Sequence, residues 1–278
     1  MTWLDHLLGD DERAAFERDG FLMVRHALAE PLRRQLVEVV DEHDRAFRAQ
    51  SGVGPHHVLN EHDLVGAEPL MLELVDLATT FPKVFGILGW HIKLFHTQLL
   101  VTPPVGSRAV PGGYAWHQDN NRMNRDFETM HHPMVSLKVG YFLTDVSAPG
   151  MGNLCVAPGS HRLANGAFAV GEDGQPAGAI EVLASAGDAI VFDRRIWHSA
   201  SSNRSVAARK FLTMGYAYRW LQPKSAMRLE HLYDTVDPIR RQLLGYCTTA
   251  NGYYDPQPDD VPLRAWMQEH LPADQVGE

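Results

Sequence analysis

The sequence predicts one mainly β domain, a sandwich or barrel, with helices before and after it. The chain has 278 residues, which suits one large domain or two small ones, and it shows no repeat and no linker. Its central part contains short runs of β-forming residues separated by glycine and proline, whereas both flanks have helical spacing. Hydrophobic residues make up 45% and charged residues 21%, which is typical of a folded protein and excludes global disorder.

The N-terminal part, residues 1–90, is predicted to be largely helical. Apolar residues recur there at helical spacing, and acidic starts and glycine or proline stops bound the segments. The predicted helices are 10–19, 31–47, 69–77 and 81–88. A four-residue apolar run at 21–24 predicts a short strand between the first two helices.

The β core is predicted at about 91–220, followed by a helical extension at 221–278. Turn signals such as Gly187-Asp188 separate the candidate segments. The predicted strands are 92–101, 135–143, 154–156, 179–183, 189–192 and 211–218. Helices are predicted at 225–232 and 237–244. The whole chain, 1–278, is therefore predicted to be a single domain.

Charge and composition exclude several partners. The net charge is −9, so an acidic surface disfavours a nucleic-acid partner. No apolar run approaches the roughly 18 residues of a membrane span, and the first residues lack the basic start of a signal peptide. The two cysteines, Cys155 and Cys247, cannot form a disulfide framework. We therefore expect a cytoplasmic protein with no membrane partner; a homo-oligomer stays open.

A histidine and a carboxylate in one short motif carry the first chemical signal. His117 and Asp119 are two residues apart, so on a strand both side chains point to one face. A second histidine, His198, follows the predicted strand 189–192 after a short connection. Two histidines and one carboxylate leave three metal positions open, as in non-haem Fe(II) oxygenases. The bare motif also occurs by chance, as ordinary surface residues of a strand.

An arginine adds a second requirement of the same chemistry. Arg209 follows His198 by eleven residues, at the start of a predicted strand. A guanidinium there can bind one carboxylate of a dicarboxylic acid in a bidentate way while the other end of the acid chelates a metal. The alternative is a solvated arginine at a strand edge.

This ordered set resembles the phytanoyl-CoA dioxygenase family of iron- and 2-oxoglutarate-dependent oxygenases. The resemblance spans about residues 10–220. It is carried by His117-Gln118-Asp119, His198 and Arg209, together with 95–100 followed by Pro103-Pro104, then 141–146, 152–154 and 157–161.

The resemblance implies a fold, cofactors and site residues. The fold would be a double-stranded β-helix, the jelly roll of cupin-like proteins. Fe(II), 2-oxoglutarate and O₂ would be used, with release of succinate and CO₂. The implied iron ligands are His117, Asp119 and His198. The implied 2-oxoglutarate-binding residues are Arg209, Gln98 and Asn60. Ala200 stands where the family often has serine, so one hydrogen bond to the co-substrate is either missing or supplied elsewhere, with Ser199 and Ser201 as candidates.

The substrate is less defined by the sequence. A polar stretch directly after the metal motif is placed to touch a small molecule, although a solvated loop explains it equally well. Its candidate substrate-binding residues are Asn120, Asn121, Arg122 and Arg125. Lys138 shares a strand face with Ser136 and Gly140, which places it either at the mouth of the β core or in solvent. We expect a small-molecule substrate, such as a biosynthetic intermediate.

The predicted reaction is hydroxylation, or another oxidation, of an unactivated C–H bond. Halogenating relatives lack the carboxylate that this chain retains as Asp119. The alternative is a cupin-type isomerase or hydrolase that holds zinc or nickel with the same ligands, but such an enzyme has no need of Arg209. A non-catalytic binding module is a further alternative, disfavoured because the ligand set is complete. No Gly-x-Ser-x-Gly motif supports a serine hydrolase.

Overall fold

A large antiparallel sheet forms the framework of the protein. The computed structural model describes residues 2–106, 115–127 and 129–277. The sheet has six strands, which in chain order are β1 (Phe21–Val24), β2 (Leu59–His62), β3 (Ile92–Thr102), β4 (Ser136–Phe142), β7 (Ala189–Asp193) and β9 (Arg209–Tyr218). Across the sheet they lie in the order β1-β7-β4-β9-β3-β2.

A second, three-stranded sheet faces the first. Its order is β6-β5-β8, with β5 at Leu154–Val156, β6 at Ile180–Glu181 and β8 at His198–Ala200. Apolar side chains of both sheets pack in one cluster that includes Val156, Ile190 and Phe211. Among the described residues no strand is paired with both sheets, so the β core is an open jelly-roll sandwich and not a closed barrel.

The described part of the chain forms seven α-helices, and most of them pack on one face of the large sheet. They are α1 (Asp10–Asp19), α2 (Glu30–Ser51), α3 (Phe81–Leu88), α4 (Asn121–Asp126), α5 (Pro238–Leu243), α6 (Pro262–His270) and α7 (Ala273–Val276). Successive side chains of a strand point to opposite faces. Leu212 and Met214 of β9 therefore join the helix residues Leu36 and Val40 in the main apolar core. Their neighbour Thr213 faces the small sheet and lines the cavity between the sheets.

Most predicted elements are present, with differences where the pattern was weak. The helix expected at 69–77 is a 3-10 helix, Pro69–Leu74, and 225–232 contains only the 3-10 turn Glu230–Leu232. Strand β2 and helix α6 were not predicted. In the described part of the chain, no helix combines the length and the apolar character needed to cross a membrane.

Candidate metal centre

Backbone pairing brings the two predicted histidine ligands together. The sequence suggested that His117 lies on a strand. In the structure it lies outside the regular strands and forms an isolated antiparallel bridge with His198, at the start of β8. The amide of His117 donates to the carbonyl of His198 (3.0 Å), and the amide of His198 donates back (2.9 Å). The amide of Asp119 donates to the carbonyl of Arg194 (3.0 Å). The ligands are therefore held by main-chain bonds between loop and sheet.

Each histidine is oriented through one ring nitrogen. The Nδ1–H of His117 donates to the carbonyl of Ala115 (2.9 Å), and that of His198 donates to the carbonyl of Ile196 (3.0 Å). A carbonyl oxygen only accepts, so Nδ1 carries the proton in both rings and Nε2 keeps its lone pair. Metal-binding histidines are commonly fixed in this way by a hydrogen bond from the other nitrogen.

The carboxylate of Asp119 is buried, and its two oxygens have different surroundings. Oδ1 accepts a hydrogen bond from Lys138 (2.8 Å) and lies 3.6 Å from the ammonium of Lys224. Oδ2 is buried without a hydrogen-bond partner among the described residues. Burial raises the pKa of Asp119, but the charges of Lys138, His198 and Lys224 outweigh it and hold the pKa below its ordinary value. Asp119 is therefore ionised at neutral pH.

The three side chains fit a divalent metal ion. One ligand atom each of His117, Asp119 and His198 lies within 4.8 Å of the other two. Two imidazole nitrogens with free lone pairs and one orphaned carboxylate oxygen form a three-ligand donor set. Such a set suits a non-haem Fe(II) site with open positions. An unsatisfied buried oxygen is costly in a folded protein, and a cation at this point would satisfy Oδ2.

Arg209 is a buried cation without an acidic partner. Its side chain, at the start of β9, is 5% exposed and lines the same cavity as the three candidate ligands. Its guanidinium lies over the ring of Phe211, at 5.2 Å, and it forms no ion pair among the described residues. Burial lowers the pKa of Arg209 to about 10, so it stays charged at neutral pH. An anion in the cavity would supply the missing counter-charge.

The predicted co-substrate amides form a pair on neighbouring strands. Gln98 of β3 donates through Nε2 to Oδ1 of Asn60 on β2, at 2.8 Å. Both line the cavity. Ala200 also lines it, next to the buried hydroxyl of Ser199, which has no partner in the described structure. The hydroxyl of Ser201 accepts from the amide of Asn153 (2.9 Å).

The predicted substrate residues lie beside the cavity and not in its wall. Helix α4 occupies 121–126, where the sequence suggested a loop. Arg122 is exposed and pairs with Asp126 (2.9 Å), and Arg125 is also exposed. Asn120 precedes the helix with a φ of 61°, and the side chain of Asn121 lies outside the described structure. Asn120, Arg122 and Arg125 do not line the cavity, and the role of all four residues in substrate binding stays a prediction.

Two lysines, Lys138 and Lys224, lie close to Asp119, and the sequence alone did not predict either contact. Lys138 is buried and faces the cavity, so the solvent-facing alternative is wrong. The sequence feature that could have indicated this is its position on the same strand face as Ser136 and Gly140. Lys224 comes from the segment after β9. No sequence pattern marked it as a site residue, because nothing in the local sequence predicts that this segment folds back to Asp119.

Together these residues line a deep cavity of about 1360 Å³ between the two sheets. Among the described residues, its charged lining consists of Asp119, Lys138, Glu181, Arg204, Arg209 and Lys224. Four of these six side chains are cationic, although the whole chain has a net charge of −9. The cavity therefore favours anionic ligands.

Comparison with known proteins gives a family and several structural neighbours. The model of the phytanoyl-CoA dioxygenase family matches residues 16–211. HygX from Streptomyces hygroscopicus, solved with nickel and 2-oxoglutarate bound, has a TM-score of 0.60 at 17% identity, covering 80% of this chain and 94% of its own. SnoK, a non-haem α-ketoglutarate-dependent carbocyclase from nogalamycin biosynthesis, has a TM-score of 0.60 at 17% identity, covering 86% and 94%. The epimerase SnoN of the same biosynthesis has a TM-score of 0.54 at 18% identity, covering 73% and 78%.

These likenesses confirm the predicted mainly β jelly-roll fold with flanking helices. The family match covers well over half of the sequence and includes all three candidate ligands and Arg209. The chain therefore belongs to the phytanoyl-CoA dioxygenase family.

Proposed function

We propose that the protein is an Fe(II)- and 2-oxoglutarate-dependent oxygenase that uses O₂ to oxidise a C–H bond of a small molecule. Membership of the family supports this. The observation that carries it is the unpaired, buried Arg209 in the same cavity as His117, Asp119 and His198. A metal site without redox chemistry would explain the ligands but not this arginine.

In this proposal His117, Asp119 and His198 hold Fe(II) through two Nε2 atoms and the free Oδ2. When bound, the metal supplies the O₂ chemistry that couples decarboxylation of 2-oxoglutarate, to succinate and CO₂, with oxidation of the substrate. Lys138 keeps Oδ1 of Asp119 occupied, so that Oδ2 faces the metal. This ion pair orients the carboxylate as hydrogen bonds to metal ligands generally do.

The co-substrate is bound by the other end of the cavity. Arg209 binds the far carboxylate of 2-oxoglutarate, because a buried guanidinium offers two parallel donors to a carboxylate. Gln98 and Asn60 form a polar wall that contributes further hydrogen bonds.

We infer that the substrate is a small anionic molecule, such as an acidic biosynthetic intermediate. One Fe²⁺ ion and one 2-oxoglutarate dianion cancel, so the excess of cationic lining residues persists after both have bound. Lys224 supports this inference, because its side chain is 40% exposed and lines the cavity beside Asp119. An ammonium in that position can bind a carboxylate or a phosphate without leaving the site.

Hydroxylation is the reaction we favour. The structural neighbours include a carbocyclase and an epimerase, so the fold supports more than one outcome. Retention of Asp119 supports oxygen transfer over halogenation, because the carboxylate would occupy the metal position that a halide takes in halogenating relatives.

The test is formation of the iron and 2-oxoglutarate complex. The purified protein, kept anaerobic with Fe(II) and 2-oxoglutarate, should show the weak visible charge-transfer band of a chelated 2-oxo acid. His198→Ala should abolish the band, whereas His131→Ala, which changes an exposed histidine, should retain it. A band of normal intensity in His198→Ala would refute the ligand set. Turnover is then tested with a metabolite library, measured as succinate release above the uncoupled background.

A further inference from the structure

A second cavity adjoins the segment that precedes Lys224. It has a volume of about 350 Å³ and shares no lining residue with the metal cavity within the described structure. Its wall is formed by the start of β3, the residues after β9 and the C-terminal segments near Gly245 and Tyr253. Trp220 to Pro223 line this cavity, while the next residue, Lys224, lines the metal cavity.

Lys93 is a buried lysine that lines this second cavity. It is 7% exposed, and its ammonium lies 4.5 Å from the centre of the Tyr253 ring. Among the described residues it forms no hydrogen bond and no ion pair. Burial and the nearby positive charge of Arg219 lower the pKa of Lys93 to about 8, so it is still largely protonated at neutral pH. An unpaired buried ammonium is costly unless something else compensates its charge.

Arg219 adds a second buried positive charge next to the first. It is fully buried, and its guanidinium lies 5.4 Å from the centre of the same Tyr253 ring. It donates to the carbonyls of Gln242 (3.4 Å) and Tyr246 (2.9 Å), which bind its protons but carry no full negative charge. Glu230 is the acidic residue in the described lining; it is exposed and pairs with neither cation.

A comparison within the chain shows what is unusual about Lys93. Lys83 is equally buried, at 6% exposure, but its ammonium bonds Glu12 (2.5 Å) and the carbonyl of Leu7 (2.9 Å). Burial of Lys83 is thus compensated inside the fold. The corresponding partner of Lys93 is missing from the described residues, at a point where a cavity adjoins it.

We propose that this second cavity binds a small organic anion, whose carboxylate or phosphate pairs with Lys93 and whose apolar body contacts Met227, Leu229 and Leu244. These three side chains line the cavity, and the tyrosines Tyr233 and Tyr253 supply aromatic surface. The volume is near the lower limit of ligand cavities, which restricts the ligand to about the size of one ring with its acidic group. This site lies outside the proposed catalytic site and does not depend on iron.

The first test compares the two buried lysines. Lys93→Met keeps the volume but removes a charge that has no partner, so the free protein should melt at a higher temperature. Lys83→Met leaves Glu12 without its partner and should melt at a lower temperature. A melting temperature that falls in Lys93→Met would show that the lysine is only structural, held by its contact with Tyr253, and would overturn the proposal.

The second test detects the anion directly. The chain has five lysines, so the protein labelled with ¹³C-lysine gives five Cε signals that single variants assign. The probes are benzoate, phenyl phosphate and benzamide, added to Arg209→Met without metal so that the proposed co-substrate site does not bind them. We expect saturable shifts of the Lys93 signal with one or both anions and none with benzamide. Calorimetry should show that Lys93→Met binds the anion at least about tenfold more weakly than the protein with Lys93.

The probes also separate the two kinds of acid group. A response to benzoate alone assigns a carboxylate ligand, and a response to phenyl phosphate alone assigns a phosphate ligand. An unmoved Lys93 signal with both anions, or an equal response to benzamide, would overturn the proposal. Because no iron or 2-oxoglutarate is present, the result is independent of whether the proposed oxygenase function is correct.

Discussion

At the level of single residues, the two oxygens of Asp119 have separate tasks. Lys138 binds Oδ1, and Oδ2 stays free beside the two histidines. A carboxylate with both oxygens free could rotate or bind a metal through either of them. The ion pair removes this choice, and because it is buried it is screened by solvent far less than a surface pair. In the proposed metal site, the lysine would therefore orient this carboxylate without itself contacting the metal.

The first residue-scale prediction concerns Arg209. Arg209→Lys keeps the charge but loses the planar fork that binds a carboxylate through two donors. We expect the KM for 2-oxoglutarate to rise by the equivalent of about 1–3 kcal/mol, with little change in iron affinity. Steady-state succinate formation measures the KM. Arg204→Lys, an exposed arginine in the same lining, is the matched control. An effect in the control and none in Arg209→Lys would move the carboxylate site to Arg204.

The second residue-scale prediction concerns Lys224. If it binds the anionic group of the substrate, Lys224→Gln should raise the KM for substrate and leave that for 2-oxoglutarate unchanged. Because the side chain is 40% exposed, we expect only about 1 kcal/mol, roughly fivefold. Arg122→Gln removes the same charge outside the cavity lining and should change neither KM. The reverse result, an effect at Arg122 alone, would restore α4 as the substrate-binding element.

Candidate site residues could be named from the sequence where their order along the chain resembles that of a known family. His117, Asp119, His198 and Arg209 form an ordered set, and the fold brings them to one cavity. Lys224 was not predictable, because its contact with Asp119 depends on the path of the chain after β9. Arg122 and Arg125 followed the metal motif directly in sequence, but a short helix turns their side chains outward.

At the level of elements, buried contacts decide which predicted segments are regular. Strand β2 was missed because its four residues, LNEH, are mostly polar, and its pairing with β3 stabilises it. The segment 69–77 has helical spacing but begins with proline after Glu68 and forms only a 3-10 helix. The long helix α2 has a strong apolar face, and its prediction was right to within a few residues. That 1–278 is one domain remains a prediction.

Helix α2 is joined to strand β2 by one histidine, and this leads to a prediction about pH. His43 contacts Glu61 through Nδ1 (3.0 Å) and Glu68 through Nε2 (2.8 Å). Burial lowers the pKa of His43, but the two glutamates outweigh it and raise the pKa above 6.5. A base with a raised folded-state pKa adds stability that is complete below its unfolded value and disappears as the pH rises through the folded value.

We therefore expect His43→Gln to destabilise the protein by about 1.5–3 kcal/mol at about pH 5.5, from the loss of hydrogen bonds to charged groups. The difference from the unmodified protein should shrink above pH 6.5. Urea unfolding across this range measures it. His57→Gln is the control, because that exposed ring stacks on Phe47 of the same helix and forms no ion pair in the described structure. A difference that grows with pH would contradict the assignment.

At the level of the whole molecule, charge is distributed unevenly. Acidic residues outnumber basic ones by nine, yet the metal cavity and the second cavity both contain cations that have no acidic partner in the described part of the chain. Burying unpaired cations lowers stability, so the fold keeps them at a cost that a bound anion removes. Residues of one segment line both cavities: 220–223 line the second cavity and Lys224 lines the metal cavity.

The last prediction concerns the product of the proposed reaction, and it follows from the charges around the proposed metal site. Chloride would need a metal position and a surplus of positive charge. Asp119 occupies the position, and its negative charge opposes a halide in the same place. Lys138 holds the carboxylate there through its other oxygen, so displacement of Asp119 by chloride would also break a buried ion pair. We therefore expect the substrate radical to gain oxygen and not chlorine.

Mass spectrometry of the turnover product in high chloride tests this, with a substrate from the succinate-release screen. A gain of one oxygen atom supports hydroxylation, and a chlorinated product from the unmodified enzyme would contradict it. Asp119→Gly should lose hydroxylation even where it opens a halide position. Lys138 would then lose its partner, and the surrounding groups are arranged for a carboxylate, so the remaining two histidines would hold the metal more weakly. Metal content of the purified variant, measured beside its product, separates a lost metal from an altered reaction.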